Sequence, residues 1–206
     1  MEKKYRLLGN DTKVVGDKTL YRIEALRDFA DVQKGNKGGY VESEENLSHI
    51  GNCWVYGDAR VCGDAEVCGD AEVYGNAKVY GNAKVYGDAR VFDDARVYGN
   101  AYISDNTQVY GKARVFGYAE VYGDAEVRST RDYVVLKNIW SSGRYFTYTR
   151  SNKMWKVGCF YGTGEELIAK AYRDSEVSGR EYERVVRYVE AMYADLENDE
   201  RQEAKK

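Results

Sequence analysis

Val79-Tyr-Gly-Asn-Ala-Lys84, Val85-Tyr-Gly-Asp-Ala-Arg90 and Val91-Phe-Asp-Asp-Ala-Arg96 state one six-residue phrase three times in succession. The phrase runs on in both directions. A branched apolar residue returns every six positions from Val55 to Val127, thirteen times, with Ile103 as the one non-valine. Two positions before each stands a small residue, from Cys53 and Ala59 through Thr107 to Ala125. Gly followed by Asp or Asn fills most positions two and three after each Val. A short fixed period sets an architecture before any other signal is weighed. Strand alternation then assigns the sides: in Ala59-Arg60-Val61-Cys62, Ala59 and Val61 face inward, and Arg60 and Cys62 face outward. Gly63-Asp64 turns the corner, because Gly accepts positive φ and Asp or Asn tolerates it better than most residues. The pattern predicts a parallel β-helix with three sides and 18 residues per coil.

The hexads reach back to Val41 and Leu47, which are six apart. Leu47 to Val55 is eight, so a two-residue insertion falls within Ser48–Asn52, and the solenoid is expected to start near residue 40. Residues 1–39 do not follow the rule. Tyr5–Leu8 and Lys13–Val15 are short strand candidates, Gly16-Asp17 a turn, and Thr19–Leu26 a third strand. Gln33–Gly39 reads as a loop. A small β-rich cap over 1–39 would cover a sheet edge that otherwise invites aggregation. After the solenoid at 40–128, residues 129–206 change character. Asp132–Leu136, Tyr145–Thr149 and Lys153–Phe160 read as a three-stranded meander, with turns at Ser141–Gly143 and Arg150–Asn152. Thr163-Gly-Glu-Glu166 is a capping box that opens a helix through about Tyr172, and Ser178-Gly-Arg-Glu181 is a second. Tyr182, Val185, Val186, Val189, Met192, Tyr193 and Leu196 then keep helical spacing. The charged segment from Glu197 onward is expected to fray.

Composition narrows the function classes. Net charge is −3 over 206 residues, so nothing global points to nucleic acid. Proline is absent, and the 21 Gly and 20 Tyr trace mainly to the repeat. No apolar run is long enough to span a bilayer, and no signal-peptide core follows Met1, which predicts a cytoplasmic protein. Cys53, Cys62, Cys68 and Cys159 lack zinc-type spacing and are expected as free thiols. No P-loop, dinucleotide fingerprint, Ser/His/Asp order or Cys/His cluster is present. Neither a cofactor nor a metal is expected.

The hexads, with Gly38-Gly-Tyr-Val-Glu-Ser-Glu-Glu-Asn-Leu47 leading into Trp54-Val-Tyr-Gly-Asp-Ala59, resemble the YdcK-type β-solenoid proteins. Such proteins occur in bacteria and are often carried by phages. Gly158-Cys-Phe-Tyr-Gly-Thr-Gly-Glu-Glu-Leu167 is similar to a module appended to repeat proteins of phages and mobile elements. The resemblance implies a left-handed coil; the hand does not follow from the repeat, since it breaks the usual right-handed crossover preference. It also raises an acetyl-CoA-dependent acyltransferase as an alternative, because hexad solenoids build such enzymes. Those typically use a histidine as general base and often a loop extruded from the coils. This chain has one histidine, His49, at the irregular corner, where it is expected as a corner residue packed against the cap. No loop interrupts 55–127.

Sorting the outward residues by 18 separates the faces. One column holds Trp54, Glu72, Arg90, Gln108 and Glu126, and a second Glu66, Lys84, Tyr102 and Glu120, both of mixed sign. The third stacks Arg60, Lys78, Arg96 and Arg114, all cationic, beside Cys62, Tyr80, Tyr98 and Phe116. Like charges abreast in a sheet are unfavourable. Such a face suits an acidic protein surface, or a nucleotide-type ligand whose bases stack over a phosphate-contacting row. A solvated face, partly neutralised by Asp58 and Asp94, is the plainer alternative. Tyr56, Tyr74, Phe92 and Tyr110 on one face and Tyr86 and Tyr122 on another are expected as structural ladders, or as a face through which copies of the chain associate. The corner column Asp70, Asp88, Asn106 and Asp124 offers oxygen ligands for Ca²⁺, but the turns demand these residues anyway. The expectation is a non-enzymatic binding or scaffold protein. The phage resemblance implies an accessory or inhibitor role, and Arg60, Lys78, Arg96, Arg114, Tyr80, Tyr98 and Phe116 are the candidate site.

Overall fold

A computed structural model describes residues 2–140 and 142–205. The N-terminal cap comprises β1 (Tyr5–Val15), β2 (Lys18–Ala25) and β3 (Lys37–Val41). Thirteen two-residue strands follow, one per hexad, from β4 (Trp54–Val55) to β16 (Glu126–Val127). The C-terminal part holds β17 (Tyr133–Lys137), β18 (Tyr145–Thr149), β19 (Met154–Val157), β20 (Phe160–Gly162), α1 (Gly164–Asp174) and α2 (Glu176–Glu203).

The solenoid is parallel and in register at 18 residues: Glu72 pairs with Arg90, Lys78 with Arg96, and Lys84 with Tyr102. Its inward Val, Ile and Ala residues are buried from Ala59 to Val127. Thr107 replaces an alanine there, and its hydroxyl donates to the Val121 and Gly123 carbonyls at 3.4 and 3.3 Å. At the first coil Val41 pairs with Val61 and Leu47 bridges Val67, both 20 apart, whereas Val55 pairs with Val73 at 18. The two extra residues therefore sit at the Ser48–Asn52 corner, where the spacing predicts them.

The two ends of the solenoid leave backbone groups that only the flanking modules can cover. Outward and corner N–H groups donate to the coil that follows, as Arg60 does to Ala77, Cys62 to Val79 and Asp70 to Gly87, so the first coil leaves carbonyls unmatched there and the last leaves N–H groups. Donors cover the first end. The buried Lys4 ammonium donates to the Cys53 and Gly51 carbonyls at 2.8 and 3.3 Å, and the Asn46 amide to those of Gly63 and Ala65 at 2.8 and 2.9 Å. At the other end side-chain acceptors take N–H groups, and donors such as the Asn152 amide reach the Tyr122 carbonyl at 3.2 Å. Phe116 N–H donates to the Tyr133 hydroxyl at 3.3 Å, Glu120 N–H to Thr147 Oγ1 at 3.0 Å, and Glu126 N–H to Ser151 Oγ at 2.7 Å.

The flanking modules depart from expectation in detail. Tyr5–Leu8 and Lys13–Val15 are one strand, interrupted by a register shift between Leu8 and Thr12. The meander has four strands rather than three, because Gly158 adopts φ +56° and folds Lys153–Phe160 into a hairpin. The long helix starts at Glu176, before the expected capping box: Ser175 is the cap, its Oγ accepting from Ser178 N–H. It also continues to Glu203 through the segment expected to fray, where Arg150 pairs with Glu200 at 2.5 Å. The expected turn at Ser141–Gly143 includes Ser141, outside the described residues. Phe146, Trp155, Leu167, Val186 and Val189 form a second core between this sheet and the helices. No helix among the described residues is long and apolar enough to cross a membrane.

Candidate functional site: a cationic column between two clefts

Arg60, Lys78, Arg96 and Arg114 stand abreast on one sheet, each paired in register with the next. At the strand spacing of about 4.8 Å, four cations line about 14 Å of the solenoid axis. Sheet order places the cap on the same face, as β1-β2-β3 followed by the strands carrying Arg60, Lys78, Arg96 and Arg114. That continuation was invisible to the hexad rule, since β2 pairs antiparallel with β3 and only β3 is in hexad register.

The two mixed columns neutralise themselves. Arg90 Nε lies 3.1 Å from Glu72, and Lys84 Nζ 3.1 Å from Glu66. The Tyr86 hydroxyl also donates to Glu66 at 2.8 Å, and with Lys84 it holds the Glu66 carboxyl below its ordinary range. The cationic column has no such relief. Among the described residues, no carboxylate forms an ion pair with Arg60, Lys78, Arg96 or Arg114. The expected neutralisers are engaged elsewhere. Asp58 pairs with Lys13 of the cap, which lowers its pKa, and Asp94 accepts from the Asn76 amide at 3.3 Å.

Beside the cations, Tyr80 and Tyr98 stack with centroids 4.9 Å apart and planes at 0°, and Tyr98 and Phe116 at 5.2 Å and 10°. Each inner ring face therefore meets another ring, leaving edges for a ligand. The Tyr86–Tyr122 ladder is completed by a residue that the periodicity assigns elsewhere. Tyr102, from the mixed column, stacks 5.1 Å from Tyr86 and 5.4 Å from Tyr122. It fills the ring position left by Ser104.

Two clefts flank the cations and share Arg60, Lys78 and Arg96. On the aromatic side a cleft of about 560 Å³ is walled by Val15 and Lys18 of the cap hairpin and by Cys62 and Tyr80. On the corner side a cleft of about 440 Å³ adds Arg114 and Lys112, facing Asp58 and Asp94. Lys112 follows Asp58, Asn76 and Asp94 in its 18-residue series, so the same sorting finds it; nothing in the repeat signals Val15 or Lys18.

His49 lies away from this face. Its ring stacks on Tyr5 at 4.3 Å, Nδ1 accepts from the Lys4 N–H at 3.2 Å, and Nε2 is 3.6 Å from Glu44. Nδ1 is thus held by the cap backbone, while the buried Nε2 has no hydrogen-bond partner among the described residues. The corner carboxylates and amides bond between coils, as Asn106 Nδ2 does to Asp124 Oδ1 at 3.0 Å and Asn52 N–H to Asp70 Oδ1 at 2.9 Å.

The class defined by this architecture is a parallel β-solenoid capped at both ends. A family model, the YdcK β-solenoid repeat, matches residues 83–99 and 95–111. The chain is a YdcK-like repeat solenoid. No curated protein matches its sequence.

Proposed function

We propose that the chain is a non-enzymatic binding protein whose cationic face engages an acidic protein surface. The observation that carries this reading is the contrast between columns: two are cross-paired within the fold, and the third holds four cations abreast with no ion pair among the described residues. Repulsion along that column costs stability, and a partner carrying carboxylates would remove it. Stacked rings favour a protein surface over a nucleotide, because base recognition by stacking needs an open aromatic face and the inner ones are occupied. A rigid face of this kind suits an accessory protein that masks an acidic surface of a host enzyme. The packing of His49 against the cap, with its ring on Tyr5 and Nδ1 accepting from Lys4 N–H, speaks for binding over acyl transfer.

The test combines binding and stability. Lys78→Glu, Arg96→Glu and Arg114→Glu together should abolish salt-sensitive capture of acidic partners on the immobilised protein. Arg96→Glu alone places a carboxylate between Lys78 and Arg114, and should raise stability by about 0.2–1 kcal/mol per pair formed. Weaker binding by a more stable protein cannot be ascribed to unfolding. Unchanged capture by the triple variant would exclude this face.

A further inference from the structure

Resting on that reading, the cleft between the cap hairpin and the aromatic column has a composition of its own. One side is apolar: Val15 from the hairpin, then Cys62 and the flank of Tyr80. Burial pushes the Cys62 thiol up, so it presents neutral surface. The opposite side is the cation column itself, through Arg60, Lys78 and Arg96. Lys18 is already committed, its ammonium 2.7 Å from Glu42, whose carboxylate also accepts from Gly63 N–H at 2.6 Å. The unpaired charge in the cleft therefore belongs to the column. Asp64, exposed at the corner, is the one carboxylate in the lining. The second cleft lacks an apolar wall and carries two carboxylates, so the two sides of the column are not equivalent.

We propose that this cleft is an anchor pocket for one apolar side chain of an extended acidic peptide segment, whose flanking carboxylates lie on Arg60, Lys78 and Arg96. Charge complementarity selects the acidic flanks, and the Val15–Cys62–Tyr80 wall selects the apolar residue between them. An extended chain advances about 3.3 Å per residue, so four to five residues cover the four-cation column of about 14 Å. Carboxylates two apart fall on one side of the strand and reach successive long cationic side chains, while a residue of opposite parity turns toward the apolar wall. The anchor would bring specificity to an interaction that charge alone leaves permissive.

The experiment uses the full chain and two fluorescein-labelled heptapeptides, Asp-Glu-Asp-Phe-Asp-Glu-Asp and the same sequence with Gly in place of Phe, followed by fluorescence anisotropy. The Phe peptide should bind about tenfold or more tightly than the Gly peptide, the scale expected for burying one large apolar side chain. Val15→Asn should remove that advantage and leave the Gly peptide unaffected. Val14→Asn, a neighbouring change at an exposed residue outside the cleft lining, should leave the advantage intact. Equal affinities for the two peptides would overturn the anchor pocket while leaving the cationic face standing. An advantage that survives Val15→Asn would place the anchor elsewhere and overturn it too. Failure of both peptides to bind would overturn the pocket together with the cationic-face reading.

Discussion

Asp93 and Gly75 occupy the same corner position in successive coils and solve one problem differently. Both have positive φ, +58° and +69°. Asp93 supports its strained backbone with a bond, its Oδ2 accepting from Gly111 N–H at 3.1 Å. Gly75 has no room to do so: a Cβ there would lie 2.9 Å from the Asp93 nitrogen. Gly57, one coil earlier with φ +58°, has nothing within 4 Å of the equivalent point. Gly57→Ala should therefore show only the left-handed backbone penalty of about 1–2 kcal/mol. Gly75→Ala should lose about 1–3 kcal/mol more through overpacking against backbone. Paired urea titrations check this, and equal losses would contradict the stacking of corners. The Gly-Asp and Gly-Asn phrases make such corners legible in the sequence. Tyr102 was not legible, because an outward position fixes where a side chain leaves the strand and not which vacancy its ring fills.

At the level of elements, the caps are set by the backbone groups that the end coils leave unmatched. Tyr133 is the clearest case, its hydroxyl donating to the Arg114 carbonyl at 3.0 Å while accepting from Phe116 N–H at 3.3 Å. Tyr133→Phe keeps the ring and leaves both groups without this partner. The expected loss is about 1–3 kcal/mol, with faster hydrogen exchange at the Phe116 amide while mid-solenoid amides such as Arg90 stay protected. Loss of protection at both would mean that the solenoid opens as one unit and not from its end. The sequence carries the need for caps but not their identity. Lys4, Asn46, Tyr133, Thr147 and Ser151 act through single polar atoms at positions with no period. The Thr163 capping box, by contrast, is a local code and is formed as spelled, with Thr163 and Glu166 bonding each other's backbone N–H. Ser175 was missed because a better-matching box lay three residues on, inside the helix.

For the whole molecule, one 18-residue period both builds the core and sorts the surface, which is why the cationic column was legible and its hairpin wall was not. The fold buries tyrosines in the ladders and in both flanking modules, and that has a consequence for pH. Burial pushes Tyr133, Tyr148 and Tyr193 up to about 12, and Tyr5, Tyr56, Tyr86 and Tyr122 higher still. A phenol whose pKa is higher folded than unfolded contributes stability that is complete below the unfolded value, near 10, and is lost as pH rises through the folded value. Lys4 acts with the opposite sign: burial lowers its pKa, so its contribution grows as pH rises toward the unfolded value. It is one group against many. The protein should hold its fold to about pH 10 and then unfold cooperatively between about 10 and 12. Ionisation of the buried phenols, followed by phenolate absorbance, should coincide with loss of the β-sheet circular dichroism signal. Ionisation of all the phenols with an unaltered dichroism signal would show that the buried tyrosines are freely hydrated, and would contradict their packing.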